Sequence, residues 1–127
     1  MKAAAAIFRM SVRLTGLASI ILGGLLWTGH AMTLIPVHML LGFALVLSLW
    51  ALAALAAQTG AAPGLAMLTF VWGVAVTVLG MSQDRLLIGD FHWGTKMLHL
   101  IGGLVAMGQA EWLAGRIMQA RAPVLQR

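Results

Sequence analysis

Two histidines carry the clearest chemical pattern in the sequence, because each one opens the same short motif. His38 is followed four positions later by Gly42, and His99 is followed four positions later by Gly103. A neutral imidazole binds transition metals and metal-containing cofactors through one ring nitrogen. The repeated His-x-x-x-Gly spacing therefore predicts a pair of metal ligands, provided that the fold brings the two motifs together.

The other residue types restrict the chemistry further. The chain has four histidines and no cysteine, which excludes disulfides, cysteine-ligated zinc, iron–sulfur clusters, covalently attached c-type haem and dithiol exchange. No nucleotide-binding glycine loop, Ser/His/Asp set or pair of carboxylates is present, so hydrolysis and phosphoryl transfer are unsupported. Metal or cofactor chemistry must therefore depend on histidine.

The composition is that of a membrane protein. Of the 127 residues, 61% are hydrophobic and only 9% are charged, whereas a water-soluble domain carries about a quarter charged residues. The net charge of +5 does not indicate nucleic-acid binding, because the basic residues flank apolar runs instead of forming a basic face on a soluble scaffold. The expected surroundings of the chain are a lipid bilayer.

Four apolar stretches, separated by short segments with Gly, Pro and polar residues, predict the elements that position the histidines. We place the spans at about 7–29, 34–57, 61–81 and 97–113. Each has about the length of helix that crosses a bilayer core of about 30 Å. The expected fold is an all-α bundle of four transmembrane helices, with residues 1–127 forming one integral membrane domain.

The distribution of basic residues predicts the orientation. Six of the eight lie before the first span or after the fourth: Lys2, Arg9, Arg13, Arg116, Arg121 and Arg127. The other two, Arg85 and Lys96, are offset by Asp84 and Asp90. The positive-inside rule then places both termini in the cytoplasm of a bacterial inner membrane, with loops 30–36 and 82–96 outside. We interpret the first span as an uncleaved signal-anchor helix, although it also has features of a cleaved secretory signal.

The second and fourth spans begin alike, and each hairpin loop contains one further histidine. His30 precedes His38 by eight positions and His92 precedes His99 by seven. A weaker match relates Gly16-Leu17-Ala18 to Gly64-Leu65-Ala66 on the first and third spans. We therefore expect two similar helical hairpins related by an axis along the membrane normal.

Two histidines that descend from the same membrane face predict a shared ligand site. We expect His38 and His99 to lie about four and two residues past the starts of their spans, roughly one turn below the outer surface. Two facing imidazoles at one depth are the ligand set of a six-coordinate b-type haem. Gly42 and Gly103, one turn further on the same helix faces, would leave room for the edge of the macrocycle.

The polar residues above this level predict secondary roles. Donors for haem propionates would come from Lys96, Arg85, His30 and His92. If Asp90 caps the fourth helix, His92 lies two turns above His99 and can accept a proton from a quinol. An interfacial loop histidine is an equally good interpretation of His92. Glu111, near the cytoplasmic end, is expected to pair with Arg116 or Arg13.

Purely structural roles are the alternative interpretation of the histidines and the glycines. A histidine in a membrane helix can hydrogen-bond to a neighbouring helix, and Gly102 begins a stripe of small residues typical of close helix packing. The chain would then be a haem-free structural or assembly subunit. A second alternative is a metal site at the outer surface that uses all four histidines.

With His-x-x-x-Gly on two helices and both histidines toward one face, the chain resembles the small four-helix membrane b-type cytochromes. The resemblance implies an electron-transfer subunit with one haem b between His38 and His99. It also implies exchange of electrons with quinone or a partner redox subunit, in a larger complex or a homo-oligomer. The sequence departs from cytochromes with two stacked haems, because the cytoplasmic halves of its helices contain no histidine.

Overall fold

The computed structural model describes residues 1–87 and 89–120, and in these residues the chain is entirely helical apart from short loops. The four helices are α1 (Lys2–Trp27), α2 (Ile35–Thr59), α3 (Pro63–Ser82) and α4 (His92–Gln119). One 3₁₀ turn precedes α2 and another follows α3. The prediction of an all-α fold with four helices is confirmed.

Proline and glycine set the helix boundaries in the way the sequence suggests. Pro36 and Pro63 occupy the first turns of α2 and α3, where a missing N–H leaves no hydrogen bond unmade. Gly60 ends α2 with φ +63°, a left-handed conformation that favours glycine. The result is a short connection between α2 and α3, as expected for neighbouring antiparallel helices.

Helix α4 differs most from its predicted span. It begins at His92, five residues before the expected start at 97, and continues to Gln119. Its N-terminal capping position is Phe91, which makes no side-chain capping bond, so the suggested cap by Asp90 is wrong. The added N-terminal residues include His92, Thr95 and Lys96, so a hydropathy pattern places the boundary where the apolar run begins and not where the helix begins.

Three helices, α1, α2 and α3, are long and apolar enough to cross a membrane. The 28 residues of α4 also give sufficient length, about 42 Å at 1.5 Å per residue. Its mean hydropathy is lower because it carries His99, Gln109 and Glu111 among its apolar residues. Two of the predicted topology signals, Arg121 and Arg127, lie outside the described residues.

The helix packing places α2 and α4 at the centre. Each of these two helices contacts all three others, and α1 and α3 lie against both. On α2 the buried apolar cluster begins at Leu45, seven residues after His38, and on α4 it begins at Ala106, seven residues after His99. Its most deeply buried large members are Leu49, Leu52, Leu113 and Ile117. The packed core therefore occupies the end of the bundle away from the two histidines.

Polar contacts fix the same end of the bundle as the packed core. Arg13 on α1 forms a two-pronged salt bridge with Glu111 on α4, with Nη2 at 2.7 Å from Oε2, and Arg9 lies 3.9 Å from the same carboxylate. The predicted pairing with Arg13 is confirmed. The alternative, Arg116, instead stacks its guanidinium over the Trp112 ring at 5.0 Å. The salt bridge places the start of α1 beside the last turns of α4.

Two tryptophans link the helices inside the apolar region. The Trp72 indole N–H donates to the Gly102 carbonyl at 2.9 Å, joining α3 to α4, and the Trp50 N–H donates to the Phe70 carbonyl at 3.2 Å. Gly102 is buried, and a Cβ atom there would lie 3.1 Å from Val76 Cγ2. Close packing therefore explains Gly102.

Because the chain has no cysteine, single introduced cysteines test the number of membrane crossings directly. We expect Phe91→Cys, in the loop before α4, to react with a membrane-impermeant maleimide in intact cells. Ala3→Cys, Gln58→Cys and Gln119→Cys should react only after the cells are permeabilised, because four crossings with both termini inside place these positions in the cytoplasm.

The unmodified protein supplies the control for background labelling. Reaction of Gln119→Cys in intact cells, at the rate seen for Phe91→Cys, would show that α4 does not cross the bilayer.

Candidate functional site

The structure brings His38 and His99 together at the interface of the two central helices. Their ring centres are 6.4 Å apart, and the ring planes are inclined by 61°. Both side chains are half-buried. Two residues separated by more than sixty positions thus form one pair, as the repeated motif predicts.

The two histidines lie at the same depth in the bundle, but their distances from the starts of their helices differ from those that the sequence predicts. His38 follows the start of α2 by three residues, whereas His99 follows the start of α4 by seven. The expectation that His99 lies about two residues into its helix is therefore wrong. Since α4 begins about one turn further out than α2, it carries His92 above the level of the pair.

Each imidazole packs against a glycine of the helix that precedes its own. A Cβ atom at Gly23 on α1 would lie 3.2 Å from His38 Cε1, and one at Gly80 on α3 would lie 2.7 Å from His99 Cε1. At Gly80 this distance is shorter than real Cβ contacts. These two glycines allow the histidine rings to approach the neighbouring backbone closely, and the sequence analysis did not identify either of them.

A spacing pattern in the sequence marks these positions. Gly16 and Gly23 are seven residues apart on α1, and Gly73 and Gly80 are seven residues apart on α3. Gly16 faces Met107 of α4, and Gly73 faces the Trp50 indole of α2. The weaker sequence match between Gly16 and Gly64 does not correspond to similar packing. A Cβ atom at Gly64 would have no heavy atom within 4 Å, whereas one at Gly16 would meet Met107.

Both histidines leave one buried nitrogen without a partner. His38 Nδ1 and His99 Nδ1 are buried, and neither makes a hydrogen bond within the described residues. A buried polar atom without a hydrogen bond costs about 1–3 kcal/mol. This cost falls on two adjacent side chains, which is unusual for residues that only join helices.

The glycines of the His-x-x-x-Gly motifs are not required by packing within the chain. A Cβ atom at Gly42 or at Gly103 would find no heavy atom within 4 Å. The two glycines lie one turn from the histidines on the same faces of α2 and α4. They leave space beside the histidine pair that no side chain of this protein fills.

The ring centres of the pair are 6.4 Å apart in an edge-to-face arrangement. This separation lies in the range of about 4.5–7 Å found for packed ring pairs. It is also close to the separation of about 6.5 Å expected for two imidazoles that bind one metal from opposite sides, each with its nitrogen about 2.1 Å from the metal. The buried unpartnered nitrogens and the open glycine faces also fit a ligand larger than a bare ion.

The peripheral residues proposed as cofactor contacts are distributed around this end of the bundle. His30 is exposed and its Nδ1 lies 3.0 Å from Thr28 Oγ1, while the His92 Nδ1 lies 3.4 Å from the Leu86 carbonyl. Arg85 is exposed and Lys96 is half-buried in the first turns of α4. Among the described residues, none of these four side chains hydrogen-bonds to His38 or His99.

The loop before α4 is held by its own contacts. Leu86 offers its carbonyl to both the His92 ring and the Thr95 hydroxyl, at 3.4 and 3.3 Å. Because a carbonyl only accepts, His92 Nδ1 carries the hydrogen in this contact, and the Nε2 of a neutral ring remains an acceptor. His92 therefore joins the loop to the helix and also presents a basic nitrogen.

The four histidines do not form one metal cluster. Within residues 1–87 and 89–120, no three His, Asp or Glu side chains are grouped in a way that would hold a metal ion. His38 and His99 are the two histidines whose rings lie side by side in the described residues.

A scan against protein-family models and searches of curated proteins and of solved structures return no match to this chain.

Substitution of the two kinds of glycine should have opposite effects on stability. We expect Gly80→Ala to destabilise the folded protein by about 1–3 kcal/mol, because the added methyl group overlaps the His99 ring. Gly42→Ala and Gly103→Ala should be neutral or stabilising by up to about 1 kcal/mol, because alanine favours the helix and its methyl group meets nothing. Reversible unfolding in mixed detergent micelles measures the difference.

The three variants serve as controls for one another, because all are Gly→Ala changes within helices. Equal stability of Gly80→Ala and Gly42→Ala would show that His99 does not pack against α3 as described.

Proposed function

We propose that this protein is an integral membrane electron-transfer subunit that binds one b-type haem between His38 and His99. The observation that carries the proposal is the pair itself: two imidazoles on different helices of an apolar bundle, with ring centres 6.4 Å apart. Haem, when bound, supplies a one-electron iron couple. The chain's own task is to hold the two axial imidazoles and to keep water from the apolar site.

The distribution of packing supports a large apolar ligand at this end of the bundle. The protein's own buried cluster stops about two turns short of each histidine. Around the pair, large apolar side chains of α2 and α4 remain exposed: Val37, Met39, Leu40, Leu98 and Ile101. Open space at Gly42 and Gly103 lies within this region, so a planar apolar group would complete the core instead of displacing it.

The proposed topology places the site near the periplasmic face of a bacterial inner membrane. Lys2, Arg9, Arg13 and Arg116 mark the opposite end as cytoplasmic by the positive-inside rule. Two similar hairpins are supported by the matching contacts of Gly23 with His38 and of Gly80 with His99. In this arrangement α4 crosses the membrane with the other three helices.

An apolar groove supports quinone or quinol as the electron-exchange partner. The groove of 560 Å³ runs along α3 and ends at Ser82 and Leu86; its other lining residues are Phe70, Val71, Val74, Ala75, Val78 and Leu79. The Leu86 carbonyl is in turn bonded by His92. A quinol lying in this groove would have its head group near Ser82 and Leu86, and His92, whose Nδ1 contacts the Leu86 carbonyl, would accept a proton through Nε2 as the electron leaves. A redox subunit that docks at the same end is the other candidate partner.

The first test is a reduced-minus-oxidised absorbance spectrum of the full chain, purified in detergent after expression with haem available. We expect a sharp low-spin α-band that is lost in both His38→Ala and His99→Ala, because each removes one axial ligand. His30→Ala and His92→Ala are matched controls, since each removes a histidine from the same end of the bundle and should leave the band unchanged.

A steric variant separates loss of the ligand space from loss of the fold. Gly42→Leu should lower the haem content without lowering the stability of the haem-free protein, because the added side chain enters space that no protein atom occupies. Absence of the α-band in folded wild-type protein would contradict the proposal. It would favour a bare-metal site on the pair, which metal titration detects, or a haem-free structural subunit.

The quinol step has a separate kinetic test. Reduction of the haem by a short-chain quinol should be about 100-fold slower in His92→Ala than in the wild type, because the positioned base is lost. His30→Ala is the control for removal of a loop histidine. Equal rates in the wild type and in His92→Ala, with the α-band intact, would exclude His92 as the proton acceptor.

A further inference from the structure

Like His38, Ser19 on α1 has a buried polar side-chain atom that lacks a hydrogen-bond partner. Its hydroxyl oxygen is buried and makes no hydrogen bond within the described residues. Ser19 lies four residues before Gly23, so the two positions share one face of the helix. Since Gly23 is the residue that faces the His38 ring, Ser19 lies one turn further along the same interface.

The separations from Gly23 are compatible with one water molecule that bridges the two unpartnered atoms. Positions four residues apart on a helix have Cβ atoms about 5–6 Å apart. His38 Nδ1 lies 3.9 Å from the Cβ position of Gly23. A buried water needs two or more polar partners, and these two atoms are available to it on the same side of the interface.

The position on α3 that matches Ser19 has no hydroxyl, and the hydroxyl of Thr77, three residues before Gly80, already donates to the Gly73 carbonyl at 2.9 Å. The residue four positions before Gly80 on α3 is Val76, which is buried and directs Cγ2 toward Gly102. The two imidazoles thus face glycines in the same way, but one has a hydroxyl beside it and the other a methyl group. The pair is symmetric in its contacts with glycine and asymmetric in its polar surroundings.

We propose that a buried water links His38 Nδ1 to the Ser19 hydroxyl, so that Ser19 is a positioning residue for His38 alone. The Nδ1–H donates to the water, and the water donates to Ser19 Oγ, which leaves Nε2 as the metal-binding nitrogen. A hydrogen bond to the second nitrogen of a metal-bound histidine orients the ring and raises its basicity. The ligand roles rest on the proposed function, whereas the hydrogen bond does not.

In the haem-free protein, the ¹⁵N chemical shifts of the histidine ring nitrogens test for the water link between His38 and Ser19. We expect the ¹⁵N signals of His38, in full-length protein with ¹⁵N-labelled histidine, to shift in Ser19→Ala and to return to their wild-type positions in Ser19→Thr. His99 signals should be unchanged in both. Ser11→Ala is the matched control, because it removes an α1 hydroxyl that is already bonded to Ser48 at 2.8 Å. His38→Asn assigns the signals, and tryptophan fluorescence monitors the fold.

The haem-loaded protein gives a second readout. Ser19→Ala should raise the midpoint potential, because a less basic His38 stabilises the oxidised iron less, and Ser19→Thr should restore it. Unchanged His38 signals in Ser19→Ala would overturn the inference, even if haem is bound. Shifted His38 signals in a protein that binds no haem would support the water link and refute the haem proposal, so the two failures are distinguishable.

Discussion

The central constraint in this structure is the cost of placing two imidazoles in an apolar bundle. Each ring has two polar nitrogens, and water is not freely available to satisfy them. The fold meets part of this cost by setting the rings edge to face, and by packing each against a glycine so that it reaches a neighbouring helix. One nitrogen on each ring remains without a hydrogen-bond partner in the described residues.

The rest of the bundle is organised around that pair. The small residues and leucines of α2 and α4 pack tightly at one end, where Arg13 and Glu111 also join α1 to α4. At the other end the helices offer apolar surface and open glycine faces, but no buried cluster of their own. One end thus contains the packed core, and the other contains the histidine pair and the two glycines with open space beside them.

Similar contacts do not make the two histidines equivalent. The glycine contacts repeat between α1 and α3, but Ser19 and Val76 differ at matching positions, and α4 extends one turn further than α2. That extra turn carries His92 to the loop end, where the Leu86 carbonyl fixes its ring. The two hairpins also differ in the core, where Gly16 faces Met107 of α4 and Gly73 faces Trp50 of α2.

The sequence by itself determined the all-helical fold, the approximate helix positions and the pairing of His38 with His99, because long apolar runs and a repeated motif are local patterns. It also predicted that Gly42 and Gly103 leave open space, which the structure shows. Only the tertiary structure identified the role of Gly23 and Gly80, because their seven-residue spacing from Gly16 and Gly73 does not specify which side chain of another helix each one faces. The start of α4 was likewise decided by tertiary contacts, since Thr95 and His92 hold a polar first turn against Leu86 that hydropathy assigns to a loop.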